Sequence, residues 1–168
     1  ANTYRMWSPD TVIAQIDRLV KEYGIRNIKI ADEMFVLNPR HVNNICDQII
    51  ERGYDLNIWA YARVDTVREG MAAKLKRAGF NWLAFGVEAA NQQVRSDVDK
   101  GFNQELIFKT LQQVKAAGVH IGANYIFGLP EDDLNSMQET LDLACELNTE
   151  WVNFYCTMAY PGSPLYET

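Results

Sequence analysis

The sequence predicts a parallel α/β fold, a TIM-barrel-like sheet of about five strands curved into part of a barrel. Three observations carry that prediction. Helical and extended segments alternate along the whole chain. Four helix ends share a glycine followed by an apolar residue. The strands present one apolar and one polar face. At 168 residues and 48% hydrophobic content, the chain has the size of one domain and enough apolar side chains to fill a core.

The helix ends set the frame. "KEYGI", "IERGY", "KRAGF" and "KAAGV" each read as a last helical turn, a glycine at a left-handed cap, and an apolar residue entering a strand. Ser8-Pro9 and Asn38-Pro39 pair an N-cap side chain with proline at the first helical position. Val12, Ile16, Leu19 and Tyr23 recur at helical spacing, as do Ile107, Leu111 and Val114. Helices are therefore expected over 10–23, 40–52, 67–78, 104–117 and 134–147. Strands are expected over 27–31, 57–62, 82–87, 120–127 and 151–156. Such alternation implies right-handed crossovers and a parallel sheet. Because a helix comes first, the unit at the start lacks its strand, and the chain is expected to be a piece of a longer protein.

Successive side chains of a strand point to opposite faces. One face carries Ile28 and Ile30, Ile58 to Ala62, Leu83 to Val87, Ile121 to Phe127 and Val152 to Cys156, and is expected beneath the helices. The other carries Lys29 and Glu33, then Trp59, Tyr61 and Arg63, then Gly86 and Glu88, Gly122 and Asn124, and Asn153, Tyr155 and Thr157. That face is too polar for the branched aliphatic filling of a closed barrel, and a doubly wound sheet would be apolar on both faces. A curved sheet around an open, ligand-sized lumen fits better.

Ligands of parallel α/β folds sit where strands end and loops begin. Those positions hold Asp32 and Glu33, Arg63 and Asp65, Glu88, Gly128 and Glu131, and Thr157. Carboxylates there can accept from an ammonium or from ribose hydroxyls, and an arginine can clamp a carboxylate. Asp65, Asp132 and Asp133 each precede a helix and read as helix N-caps or surface loop charges. Glu33 and Glu88 point into the polar lumen, where an unpartnered carboxylate is costly. Trp59, Tyr61 and Asn124 face substrate or pack the lumen.

Other chemistries find little support. A net charge of −6 weighs against nucleic acid or an anionic membrane as partner, and no apolar run has the length of a membrane span. Cys46, Cys145 and Cys156 form neither a metal-binding spacing nor a disulfide framework, which points to buried or partly buried thiols in a cytoplasmic protein. His41 and His120 read as structural. No lysine is expected at a strand end, against a Schiff-base aldolase. No nucleophile and no metal set emerges, and the polar groups read as a site for a zwitterionic, hydroxylated small molecule.

Several segments together resemble the core of the radical S-adenosylmethionine (SAM) enzymes, in particular the cobalamin-dependent subgroup. "RMWSPDTVIAQIDRLVKEYGIRNIKIADEMF", "YARVD", "LAFGVEAANQQV", "YIFGLPED" and "AYPGSPLYE" occur in that order and cover nearly the whole chain. The resemblance implies strands two to six of a six-stranded partial barrel. It implies that Asp32 and Glu33 receive the methionine ammonium of SAM. It implies that Glu88 binds ribose or the methionine end, and that Arg63 partners the SAM carboxylate. Ile126, Gly128 and Glu131 match the I-x-G-x-x-E pattern near adenine, with Glu131 steadying the turn or receiving a hydrogen bond, and Tyr155 completes the adenine wall. Asn124 lines the same pocket.

The C-x3-C-x2-C loop that binds the [4Fe–4S] cluster in this family is absent from the sequence. The chain alone is therefore expected to be silent in SAM cleavage, with the cluster, and a cobalamin if one is used, belonging to a longer parent. Methylation, methylthiolation and ring rearrangement stay open as reactions. A non-catalytic SAM- or nucleotide-binding module is the first alternative. A TIM-barrel hydrolase fragment with Glu33 and Glu88 as its carboxylate pair is the second. An open edge on strand 27–31 invites self-association.

Overall fold

A computed structural model describes residues 5–96 and 102–167. Helix α1 (Pro9–Tyr23) leads into β1 (Asn27–Lys29), and a 3-10 turn at Phe35–Leu37 precedes α2 (Pro39–Arg52). Then come β2 (Asn57–Ala62), α3 (Met71–Arg77), β3 (Phe80–Glu88) and α4 (Gln92–Ser96). The remainder is α5 (Gln104–Ala116), β4 (His120–Phe127), α6 (Leu134–Leu147), β5 (Trp151–Cys156) and α7 (Pro164–Glu167). All pairings are parallel, in the order β1-β2-β3-β4-β5. A sheet whose strands follow chain order winds in one direction only, so this is a half-barrel and not a doubly wound sheet.

The capping chemistry acts as the sequence predicts. Ser8 Oγ accepts from the Thr11 amide (3.1 Å) and Gly24 closes α1 at φ 66. Asn38 caps α2 by accepting from the Arg40 and His41 amides, and Gly53 ends it at φ 63. Asp133 and Ser136 form a reciprocal capping box on α6. Helix α3 starts later than expected. Gly70 takes φ 76 immediately before Met71, and the segment from Arg63 to Gly70 turns instead, with Thr66 donating twice to the Arg63 carbonyl.

One continuous core fills the space between helices and sheet. Ile58, Ala60, Leu83, Phe85, Val87, Ile121, Ala123 and Tyr125 are buried from the sheet side, against Ile13, Ile45, Leu75, Ile107 and Leu143 from the helices. The expectation fails at β5. Val152 is 39% exposed, Phe154 37%, and Cys156 is exposed as well. Helix α6 packs on β4, and α7 is a single turn. Phe154 stacks on Tyr125 and Phe127, each at 5.0 Å.

Asp17 ties α1 to the unit after it. Its carboxylate accepts from Tyr54 Oη (2.6 Å) and Arg52 Nε (2.8 Å), with Lys21 at 3.6 Å. Burial pushes this carboxyl up, but the Tyr54 hydrogen bond and the Arg52 and Lys21 charges outweigh burial and hold it below its ordinary value. A lowered carboxylate stabilises the fold above its unfolded-state pKa and loses that contribution as pH falls through the folded one. Asp17→Asn is expected to lower the urea midpoint at pH 7, and the gap to wild type should close as pH drops below about 4. A gap independent of pH would remove the charge explanation.

Candidate functional site

The concave face of the sheet holds two cavities. The upper one, about 400 Å³, opens at the carboxyl ends of the strands and is lined by Glu33, Tyr61, Arg63, Gly86, Glu88, Asn124, Ile126 and Tyr155, among others. The lower one, about 590 Å³, is lined by residues of β1, β2 and β3 together with Glu150 and Trp151. Strands at opposite edges of the sheet share its walls, which is direct evidence of curvature.

Glu88 is the most constrained of the upper residues. It is 9% exposed and sits at φ 69, a conformation unusual for a side chain with a Cβ. The β3–β4 ladder shifts at the same place. Gly86 pairs with Asn124 and Glu88 with Tyr125, leaving Val87 as the extra residue of a bulge. The strand's exit is fastened down: the Ala90 amide donates to Thr140 Oγ1 (3.0 Å), which itself donates to the Ser136 carbonyl (2.9 Å). Strain held by such fixings is a feature of functional sites.

Asn124 adds a second signal. Its carboxamide oxygen is buried without a hydrogen-bond partner while its side chain lines the cavity. An orphaned acceptor of this kind is costly unless a ligand donates to it. Tyr155, level with Ile126 on the next strand, receives a hydrogen bond from Asn153 Nδ2 (2.7 Å), so its own hydroxyl hydrogen is available to donate.

Six of the residues predicted from sequence thus converge on one cavity: Glu33, Arg63, Glu88, Asn124, Ile126 and Tyr155. Three lie outside its lining. Asp32 starts a tight turn, accepting from the Met34 amide (2.9 Å), and faces the groove between α1 and β1. Gly128 takes φ 81 in open space and donates its amide to Asp132 Oδ2 (2.8 Å). The carboxylate steadying that turn is therefore Asp132 and not Glu131, which is exposed. Asp132 also bonds Ser136 Oγ, and of the three acids read as N-caps or loop charges Asp133 is the one that caps a helix. Asp65 instead meets Arg63 in a two-pronged pair, Nε to Oδ1 at 3.0 Å and Nη2 to Oδ2 at 2.9 Å. Arg63 thus approaches the cavity already holding a carboxylate of its own chain.

Two features of the lumen escaped the sequence reading. Strand β1 stops at Lys29, so a lysine does stand at a strand end, with its ammonium over Trp59 (4.4 Å) and Tyr61 (5.4 Å). The lower lumen is aromatic, because Trp82 and Trp151 join Trp59 there. Counting parity backward from Gly86 and from Asn153 would have found both tryptophans.

No thiol among the described residues lines either cavity. Cys46 is buried in α2, and burial pushes it up to about 12, whereas Cys145 and Cys156 are exposed. An aromatic disulfide reagent is expected to titrate those two quickly and Cys46 only after denaturation; three equally fast thiols would contradict the packing of α2. Among the described residues no group of three His, Cys, Asp or Glu side chains is placed to hold a metal. No helix among them is long and apolar enough to cross a membrane.

Comparison with known proteins gives this geometry a context. The model of the Radical SAM superfamily matches residues 1–144. An uncharacterized methyltransferase of Pyrococcus horikoshii is 29% identical over 164 residues, covering 98% of this chain and 36% of the relative. The anaerobic magnesium-protoporphyrin IX monomethyl ester cyclase of Rubrivivax gelatinosus is 26% identical, covering 98% and 30%. The chain thus spans about a third of the length of these relatives. Among solved structures, the radical SAM methyltransferase TsrM from Kitasatospora setae, with cobalamin and a [4Fe–4S] cluster bound, superposes with TM-score 0.85 at 19% identity, covering 94% of this chain and 30% of that one. The cobalamin-dependent enzyme OxsB with aqua-cobalamin bound follows at TM-score 0.73 and 25% identity, covering 84% and 23%.

Proposed function

Since the chain belongs to the radical SAM superfamily, we propose that it is the SAM-binding part of a larger radical SAM enzyme and that the upper cavity holds SAM. The orphaned Asn124 oxygen carries this reading. It lies in a cavity with two carboxylates, Glu33 and Glu88, which suit a cation rich in ammonium and hydroxyl donors. Glu88 takes ribose or the methionine end, Asn124 accepts a ligand N–H or O–H, Ile126 and Tyr155 flank the base, and the open space at Gly128 admits the nucleoside beside the turn. Asp32 and Arg63 contribute from the rim.

The described residues do not fit an iron–sulfur cluster. Cys46 is sealed in the helical layer, and the sequence has no C-x3-C-x2-C. In the family the cluster supplies the electron that cleaves SAM; here its ligands come from elsewhere in the parent, and the chain alone binds SAM without cleaving it. The named relatives favour methyl transfer or cyclisation on an organic substrate, and TsrM and OxsB were solved with cobalamin bound, which supports a cobalamin held elsewhere in the parent. A cluster enzyme of this kind works in a reducing compartment, and we place it in the cytoplasm.

Calorimetry tests the reading directly. The chain is expected to bind SAM, and to leave it intact under dithionite. A parent carrying the cysteine loop and about four irons per chain should release 5′-deoxyadenosine. Failure of an iron-loaded parent to bind SAM would overturn the assignment.

Self-association accompanies the proposal. Among the described residues β1 pairs only with β2, and a groove of about 720 Å³ beside it is lined by Met6, Trp7, Leu19 and Ile28. Exposed strand edges template pairing. Sedimentation should show concentration-dependent oligomers of the chain alone, and a monomer at every concentration would contradict this.

A further inference from the structure

We infer that the lower lumen is a second binding site, for a planar aromatic molecule carrying one negative group such as a carboxylate. Three indoles from three strands, Trp59, Trp82 and Trp151, line a cavity of about 590 Å³, within the range of small-molecule sites. Flat rings are poor fillers of a barrel interior and good walls for another flat ring. The backbone makes room for one of them. A Cβ on Gly122 would stand 2.8 Å from the Trp151 ring, so glycine at that position lets the indole lie down across β4.

The charge of the ligand follows from Lys29. Its ammonium lies over the faces of Trp59 and Tyr61, and no carboxylate among the described residues pairs with it. Glu150, the one acid in the cavity wall, is committed elsewhere: it accepts from the Ile121 amide (2.7 Å) and lies 3.9 Å from His120 Nδ1. The amides on the floor satisfy one another, with Asn57 donating to Asn27 (2.9 Å) and receiving from Asn81 (3.1 Å). One cation therefore remains for a ligand anion, in a basin otherwise suited to an aromatic body.

The basin also adjoins the upper cavity. Trp59 and Tyr61 meet edge to face at 4.4 Å, the first lining the lower cavity and the second the upper. Resting on the reading of the upper cavity as the SAM site, the ligand of the lower one is the substrate, held on the far side of this ring pair.

The probe is 2-naphthoate, titrated calorimetrically into the protein, with neutral 2-naphthamide and non-aromatic cyclohexanecarboxylate as comparisons and SAM titrated separately. Naphthoate is expected to bind one per chain and about tenfold tighter than either comparison, the worth of one charged contact. Lys29→Met should erase its advantage over the amide. Gly122→Ala, by displacing Trp151, should weaken both aromatic probes; Trp82→Leu, its circular dichroism checked, repeats that test at a second ring. Equal binding of all three probes, or a preference surviving Lys29→Met, would overturn the inference. SAM binding without naphthoate binding sinks the basin alone. Naphthoate binding without SAM binding leaves the basin as a site and sinks its link to SAM.

Discussion

Replacing Glu88 by glutamine is expected to weaken SAM binding about thirtyfold, the equivalent of about 2 kcal/mol for one hydrogen bond to a buried charge. Glu88 is the buried carboxylate of the upper cavity. Glutamine keeps its size and one acceptor oxygen but removes the charge that complements an ammonium or polarised hydroxyls. Glu131→Gln serves as the comparison, since Glu131 is exposed outside the cavity lining, and should change affinity less than about twofold. A third variant separates binding from folding. At φ 69 any side chain carries a left-handed penalty of about 1 kcal/mol that glycine does not. Glu88→Gly should therefore lose SAM affinity while the relieved strain offsets the side chain's lost contacts and keeps the urea midpoint close to that of wild type. A midpoint that collapses together with binding would make Glu88 a structural residue.

The second large effect concerns stability. Gly79→Ala is expected to cost about 3 kcal/mol, because it combines backbone strain with overpacking against an atom that cannot rotate away. Gly79 sits at φ 92, and a Cβ there would lie 2.6 Å from the Leu56 carbonyl oxygen. The same residue's carbonyl accepts from the Ile58 amide at 2.8 Å, so relief by a backbone shift would break the entry of β2. Gly70→Ala is the internal comparison. Its φ is similar at 76, but nothing lies within 4 Å of the added carbon, and only the backbone term of about 1 kcal/mol should appear. Urea midpoints of the two variants within error of each other would show that the contact with Leu56 yields easily.

The frame of the molecule was legible because its signals are local. Ser8-Pro9, Asn38-Pro39 and the glycines of the four helix ends act through bonds to their own neighbours, and the parity of Tyr61, Glu88 and Asn124 follows from strand geometry alone. What the sequence hid depends on which side chain wins a partner. Arg63 and Asp65 are two apart and pair only because the chain turns after β2. Asp132, and not Glu131, reaches the Gly128 amide because the left-handed turn swings it back. Trp59 reads as a lumen residue by itself, but only the curvature of the sheet brings Trp82 and Trp151 to the same space.

The bulge at Val87 bears on which sequence changes this fold can absorb. In an unbroken ladder the residue level with Tyr125 would share its outward direction, toward the helices. The extra residue lets Glu88 stand at that level and still face the lumen, about one residue's rise, ~3.3 Å, deeper than regular pairing would leave it. Length across 86–88 therefore matters more than the identity of the middle residue. Exchanging Val87 for isoleucine preserves the arrangement, whereas deleting it would restore regular pairing and turn the carboxylate into the hydrocarbon layer under the helices. Insertions and deletions at this strand end are expected to be far rarer among working relatives than substitutions.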